Sequence, residues 1–357
     1  MKRKILITDL SGALENEGFF SVAAPSGCPL GVSEIPSSGE GENAPFSSSP
    51  TPGNLPKVLL QITTPNESAK IEAEIVGLRE LEGTRCYCDE AAEDEIVRRL
   101  APFRCGGGRW REFPVHFIDT GEYHYVSKFF VDAIDVPFTL LVFDNHTDMQ
   151  EPAFGEGLLS CGSWLADVMR SSKALQAVIL AGPGGRIALY ERHSSATFGA
   201  DWAKGGDLPA VEKEEARAYD GAKGAVLQEC GDFVLAATEE LSVEGIKNIC
   251  CKISIENLYI SIDKDVMSVD CYRTEWSQGE LELEELESMV FAAVRNSFGG
   301  EATADAVENG FPAGSLLGID ICGGLDASKP ALTCDIATNR RTDLALLDAL
   351  VLIGAFA

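Results

Sequence analysis

The sequence predicts an α/β protein built on a central, mostly parallel sheet covered by helices. Two observations carry that prediction. Apolar runs of strand length recur along the chain, among them 138–144 and 258–263, and they are apolar nearly throughout, as strands buried on both faces are. Between them lie stretches of helical period; in Leu281–Arg295 the apolar residues fall at Leu283, Leu286, Met289, Val290 and Val294.

Taken in order, Ile5–Thr8 reads as a first strand, because Asp9 ends the apolar run too early for a signal peptide. Residues 32–54, rich in Ser, Pro, Gly and Glu, read as a disordered insertion that buries too little apolar surface to offset its ordering entropy. Strands are expected at 57–63, 114–119, 138–144, 177–181, 186–190, 232–237, 258–263, 316–321 and 331–336, and helices at Asp89–Arg99, Ser163–Met169 and Leu281–Arg295. The Gly-rich stretch 181–186, "AGPGGR", lacks the Lys-Ser or Lys-Thr of a phosphate cradle and reads as a hairpin turn. The run Leu344–Ala357 carries Asp348 and reads as a core-packed helix. The whole of 1–357 is expected to form a single domain.

The chain carries 56 acidic and 29 basic residues, a net charge of −27. That balance argues against nucleic-acid binding and against docking on anionic lipid, both of which need a basic footprint. No apolar stretch approaches the roughly 20 residues of a membrane helix. Eleven cysteines scattered through a long chain read as reduced thiols, so a cytoplasmic location is expected. Cys86-Tyr87-Cys88 has the wrong spacing for a zinc knuckle.

Two of the apolar runs end in acidic residues. "LLVFDNHTDM" (140–149) places Asp144, His146 and Asp148 two apart, and "LYISIDKDVM" (258–267) places Asp263 and Asp265 likewise. In extended backbone such residues share a face, whereas Lys264 points the other way, toward an acid of its own. A third segment, "IDTGEYHYVSKFF" (118–130), puts His124 after a strand and at the opening of a helix. Four carboxylates at close range repel one another unless cations are present, and two divalent ions carry the matching charge. Mixed oxygen and imidazole donors favour manganese or a similar ion over a thiolate-type zinc site. Ions so held would acidify a bridging water. His116 and His193 stand alone and read as structural.

These three motifs, in this order, resemble those of the arginase/agmatinase (ureohydrolase) superfamily. The His of a "GGDHS"-like segment corresponds to "TGEYHYVS", "D-A-H-x-D" to "DNHTD", and "S-x-D-x-D" to "SIDKD", with the resemblance running from about residue 112 to 325. It implies a three-layer α/β/α arginase-like fold with two Mn2+ held by His124, Asp144, His146, Asp148, Asp263 and Asp265. "GTRCYCD" and "LSCGSW" look like a divergent branch. Cys161 stands where the family carries a proton-transferring His, and with Asp148 it is the candidate catalytic residue. Gly323 stands where a guanidinium-binding Glu is expected, with Asp326 as a substitute from the following loop. The resemblance also implies a homo-oligomer, a trimer or hexamer.

The reading is a binuclear metal-dependent hydrolase. A hydroxide bridging two metals would attack the sp² carbon of a C–N bond in a guanidino, amidino or related small molecule. The competing reading, motivated by Cys161 and Gly323, is a non-catalytic or regulatory descendant that keeps the metal ligands. Glu275 and Trp276 are expected at the pocket mouth.

Overall fold

The computed structural model describes residues 3–20, 59–63, 70–104, 110, 112–150, 158–192, 226–230, 233–238, 240–253, 255–297 and 316–356. The expected insertion at 32–54, and His193, lie outside them.

The strands are β1 (Arg3–Asp9), β2 (Leu59–Thr63), β3 (Lys70–Gly77), β4 (Tyr87–Cys88), β5 (Val115–Ile118), β6 (Phe138–Phe143), β7 (Leu159–Ser160), β8 (Leu175–Ala181), β9 (Ile187–Arg192), β10 (Val226–Cys230), β11 (Phe233–Thr238), β12 (Leu258–Asp263) and β13 (Leu316–Cys322). All but β4 and β7 form one eleven-stranded sheet in the order β10-β11-β9-β8-β6-β12-β13-β5-β1-β3-β2. From β8 to β3 neighbouring strands are parallel, and antiparallel strands extend the sheet at both ends.

The helices are α1 (Ala13–Asn16), α2 (Glu90–Leu100), α3 (Val126–Val131), α4 (Trp164–Ser171), α5 (Val243–Lys252), α6 (Leu283–Ser297) and α7 (Thr333–Leu352). Strand alternation divides the buried side chains between two cores. Ile5, Ile7, Leu141, Phe143, Ile260 and Ile262 pack on one face with residues of α5, α6 and α7, among them Ile246, Met289 and Leu347. Leu6, Leu140, Val142 and Tyr259 pack on the other with Ile96, Phe129, Phe130 and Val168 of α2, α3 and α4. The architecture is a three-layer α/β/α sandwich. Helix α2 has the chemistry its place requires: the Asp89 carboxylate caps the Ala92 N–H (2.9 Å), with Glu90 and Glu93 in the first turn and Arg98 and Arg99 in the last.

One expectation is corrected, two elements are added and one turn is as expected. Residues 331–336 form no strand; Leu332 is solvent-exposed and α7 starts at Thr333, since "ALTC" is too short an apolar run to pair and Leu346, Leu347 and Leu350 continue a helical stripe. β3 joins the sheet between β1 and β2, and α5 covers one face; neither was expected. The turn "AGPGGR" does join an antiparallel pair, β8 and β9.

Lys264 is fully buried on the side away from the acidic cluster. Its ammonium donates to Asp343 (2.6 Å) and to the Tyr272 hydroxyl (2.6 Å). This ties the turn after β12 to α7. Removing one partner of such a pair leaves a buried charge uncompensated, so Lys264→Met is expected to destabilise the fold by about 3–5 kcal/mol at neutral pH. Urea denaturation checks this; an unchanged midpoint would contradict it.

Candidate metal centre

β6 and β12 are parallel neighbours, and Phe143 lies opposite Ile262, so the next residues, Asp144 and Asp263, emerge side by side at the carboxyl edge of the sheet. Each then turns the chain with its own side chain. Asp144 Oδ1 accepts the N–H of His146 (2.6 Å), and Asp263 Oδ1 accepts the N–H of Asp265 (2.9 Å). Such Asx-type turns bring residue i+2 back beside residue i. The spacing of two therefore works, but not through extended backbone: β6 ends at Phe143, Asp265 sits in a 3₁₀ turn, and Asp148 has φ 50°, in the left-handed region. His124 enters from a short 3₁₀ turn (121–123) before α3.

All six residues come together. His124 Nδ1 faces three carboxylate oxygens: Asp148 Oδ2 at 2.9 Å, Asp144 Oδ2 at 3.2 Å and Asp263 Oδ2 at 3.4 Å. His146 Nδ1 lies 2.8 Å from Asp265 Oδ2 and 3.6 Å from Asp144 Oδ1. Two groups are close enough to hold an ion, His124–Asp144–Asp148 and Asp144–His146–Asp265, and Asp144 belongs to both. The donors fit a hard divalent cation. His124 Nδ1 and Asp144 Oδ2 are buried yet make no aligned hydrogen bond with any neighbour, as expected of atoms directed at a common point between them.

The electrostatics are those of a cluster short of positive charge. Burial, then the charge of Asp265, pushes Asp263 up to about 8. Burial, then Asp144, pushes Asp265 up to about 6. Burial alone would lower His124, but the carboxylates around it hold it well above its usual value. Hydrogen bonds to Asp144 and Asp265 raise His146 to about 11. Without a metal, protons supply the missing charge.

Further residues, not singled out from the sequence, hold the donors in place. His124 Nε2 lies 3.0 Å from Ser261 Oγ, and Ser261 Oγ donates to Asp320 Oδ1 (2.7 Å), which also accepts from Ser127 Oγ (2.9 Å). With its proton committed to Asp320, Ser261 accepts from Nε2–H, leaving Nδ1 unprotonated and available to a cation. Trp164 Nε1 donates to Asp148 Oδ2 (2.6 Å), and Ser277 Oγ lies 2.9 Å from His146 Nε2. Ser261→Ala is expected to weaken Mn2+ binding about 10–100-fold with the fold intact, which calorimetric titration measures. Unchanged affinity would remove Ser261 from this role.

Glycines make room at two points. A Cβ on Gly182 would lie 2.0 Å from the Asp144 carbonyl oxygen, and its φ is 140°. Gly182→Ala is therefore expected to cost more than about 1 kcal/mol in thermal denaturation and to weaken metal binding through Asp144. Wild-type values for both would contradict this. Gly323 has φ 100°, and a Cβ there would lie 3.1 Å from Asp263 Oδ1, so this position beside the cluster favours glycine.

A cavity of about 250 Å³ opens onto the cluster, lined also by Cys86, Tyr87, Gln150, Ser160, Cys161 and Trp276. Burial, then the charge of Asp148, holds the Cys161 thiol well above its usual value. Trp276 stands at the mouth, 5.9 Å from the His146 ring. Glu275 pairs instead with Lys329 (2.8 Å). Asp326 does not take the place of a guanidinium-binding Glu: it is held by Arg85 (2.7 Å) and the Ser328 hydroxyl (2.6 Å) and does not line the cavity. His116 is structural, stacked on Phe130 at 4.0 Å, and burial lowers it to about 3.

Among the described residues, no helix is long and apolar enough to cross a membrane. No family model matches the chain. An uncharacterised protein of Thermotoga maritima is 30% identical over 108 residues, a match covering 30% of this chain and 40% of that relative's length. Among solved structures, the chain is similar to formimidoylglutamase from Bacillus subtilis, at 13% identity and a TM-score of 0.47, over 99% of this chain and 88% of that one. It is similar to Trypanosoma cruzi formiminoglutamase with Mn2+, at 11% identity and 0.43, over 82% and 78%. It is also similar to a hypothetical agmatinase from Burkholderia thailandensis, at 12% identity and 0.41, over 78% and 70%. These solved structures are of arginase/ureohydrolase superfamily proteins.

Proposed function

We propose that the chain is a binuclear metal-dependent hydrolase that cleaves a C–N bond at an sp² carbon in a small guanidino, amidino or formimino compound. Two Mn2+ would be held by His124, Asp144, His146, Asp148, Asp263 and Asp265. The observation that carries this reading is Asp144, whose two oxygens face two adjoining His/Asp groups. When bound, such a pair of cations supplies Lewis acidity and lowers the pKa of water toward neutrality.

The chain's own residues supply position and protons. Ser261 and Asp320 fix the His124 ring, Trp164 orients Asp148, and Ser277 holds His146. Cys161 lies in the cavity wall, where burial favours its protonated thiol, and it would be the group to pass a proton to a leaving nitrogen. Trp276 offers an aromatic edge at the mouth to a planar group. A cytosolic setting belongs to the same reading and rests on the charge balance and the scattered cysteines.

The experiment is a screen of Mn2+-loaded protein against guanidino, amidino, formimino and acetylated amine compounds, with chelated protein beside it. Turnover of one class, lost on chelation, is expected. Fully loaded protein that turns over none of them, while another class of compound reacts, would overturn the assignment. Loaded protein that is inert and binds a partner would favour the non-catalytic reading.

A further inference from the structure

The wall of the cavity carries two thiols, Cys86 and Cys161, from separate segments of the chain. β4 and β7 pair antiparallel, with Tyr87 opposite Ser160 and Cys88 opposite Leu159. One step further along this ladder Cys86 lies opposite Cys161, and the Cys161 N–H donates to the Cys86 carbonyl (2.9 Å). Opposed residues joined by such a hydrogen bond have Cα atoms about 5.5 Å apart, with Cβ atoms toward the wide end of about 4.5–5.5 Å. A disulfide spans Cα separations of about 4.4–6.8 Å and Cβ separations of about 3.5–4.5 Å, so the Cα spacing already suits one and the Cβ atoms must close by up to about 1 Å.

Three further features single out this pair. Cys86 has φ 61°, a strained conformation for a non-glycine residue of the kind that clusters at functional sites. The two thiols lie close enough for each to influence the other's proton affinity. Both are half-buried and open to the cavity, whereas neighbouring Cys88 is buried in the core.

We propose that Cys86 and Cys161 form a modification site, a dithiol that closes to a disulfide across the cavity wall by exchange with a low-molecular-weight disulfide. One cysteine loses its proton and attacks a reagent sulfur, giving a mixed disulfide and one reagent thiol. The second loses its proton, attacks the protein-side sulfur and releases the other reagent thiol. The two cysteines give up two electrons and two protons, and the reagent leaves as two thiols. The bond ties the segment before β4 to the segment after β7 at the cavity and removes the Cys161 thiol. The proposal goes beyond the hydrolase reading and does not rest on it.

The test equilibrates the full chain, loaded with Mn2+, with oxidised glutathione, alkylates the remaining thiols and digests without reduction. Burial raises both thiols, so the exchange is followed to equilibrium rather than timed. Mass spectrometry is expected to find a peptide pair joined from Cys86 to Cys161, with the loss of two alkylatable thiols. Reduced glutathione should reverse the linkage. It should persist in Cys88→Ser and vanish in Cys86→Ser and Cys161→Ser. Both cysteines alkylated at equilibrium, a linkage through Cys88, or a glutathione adduct that never resolves to the pair would overturn the proposal. Wild type and Cys88→Ser decide the matter even if the other two variants fold poorly. Turnover is not part of the readout, so an inactive protein leaves this test intact.

Discussion

Asp144→Asn is expected to abolish tight binding of both cations and, with it, turnover. Asp144 is shared by the two groups of donors, whereas Asp148 belongs to one and Asp265 to the other. The variant keeps an acceptor for the His146 N–H, so the turn after β6 should survive. Removing a group that only orients a ligand costs about 10–100-fold in metal affinity, and removing a shared ligand should exceed that. Asp148→Asn and Asp265→Asn should each lose one cation and keep the other. Equilibrium dialysis with elemental analysis reads these stoichiometries. Equal losses in all three variants, or none in Asp144→Asn, would contradict the shared-ligand geometry.

The second large effect is a metal stabilisation that grows with pH. Asp263, Asp265, His124 and His146 are all raised on folding. A group so raised stabilises the fold fully below its unfolded-state pKa, and that contribution is lost as pH climbs through the folded value. For Asp265 the window runs from 3.8 to about 6, for Asp263 from 3.8 to about 8, and for His146 from 6.5 to about 11. The signs agree, so metal-free protein should lose stability as pH rises from about 5 to about 8.5. Cations compete with these protons, so Mn2+ should raise the Tm little near the lower pH and strongly near the upper. A free concentration of 100 times Kd corresponds to about 2.7 kcal/mol. Differential scanning calorimetry with and without Mn2+ tests this. A shift that shrinks as pH rises would contradict it.

Most of the sheet was legible because its central strands are apolar on both faces, as in Phe138–Phe143 and Leu258–Asp263. β3, "KIEAEIVG", was missed although it alternates apolar and charged residues; a search for continuous runs passes over a strand of period two. The six clustered residues were legible from residue type and spacing, yet the geometry behind the spacing was not. Strand alternation was the expectation, whereas Asx-type turns at Asp144 and Asp263 do the folding back. Trp164, Ser277 and Asp320 carried little signal, and Ser261 stood in the "SIDKD" motif without an assigned role, because their roles depend on which strands become neighbours. Ser261 and Asp320 are 59 residues apart in sequence and meet only because β12 and β13 pair in register. The opposition of Cys86 and Cys161 likewise rests on pairing between two strands too short to be recognised from the sequence.

Anomalous scattering from crystals grown in Mn2+ tests the shared carboxylate most directly. Two peaks are expected at the carboxyl edge of β6 and β12, one beside each oxygen of Asp144. A single peak, peaks remote from Asp144, or none at saturating Mn2+ would contradict the binuclear centre.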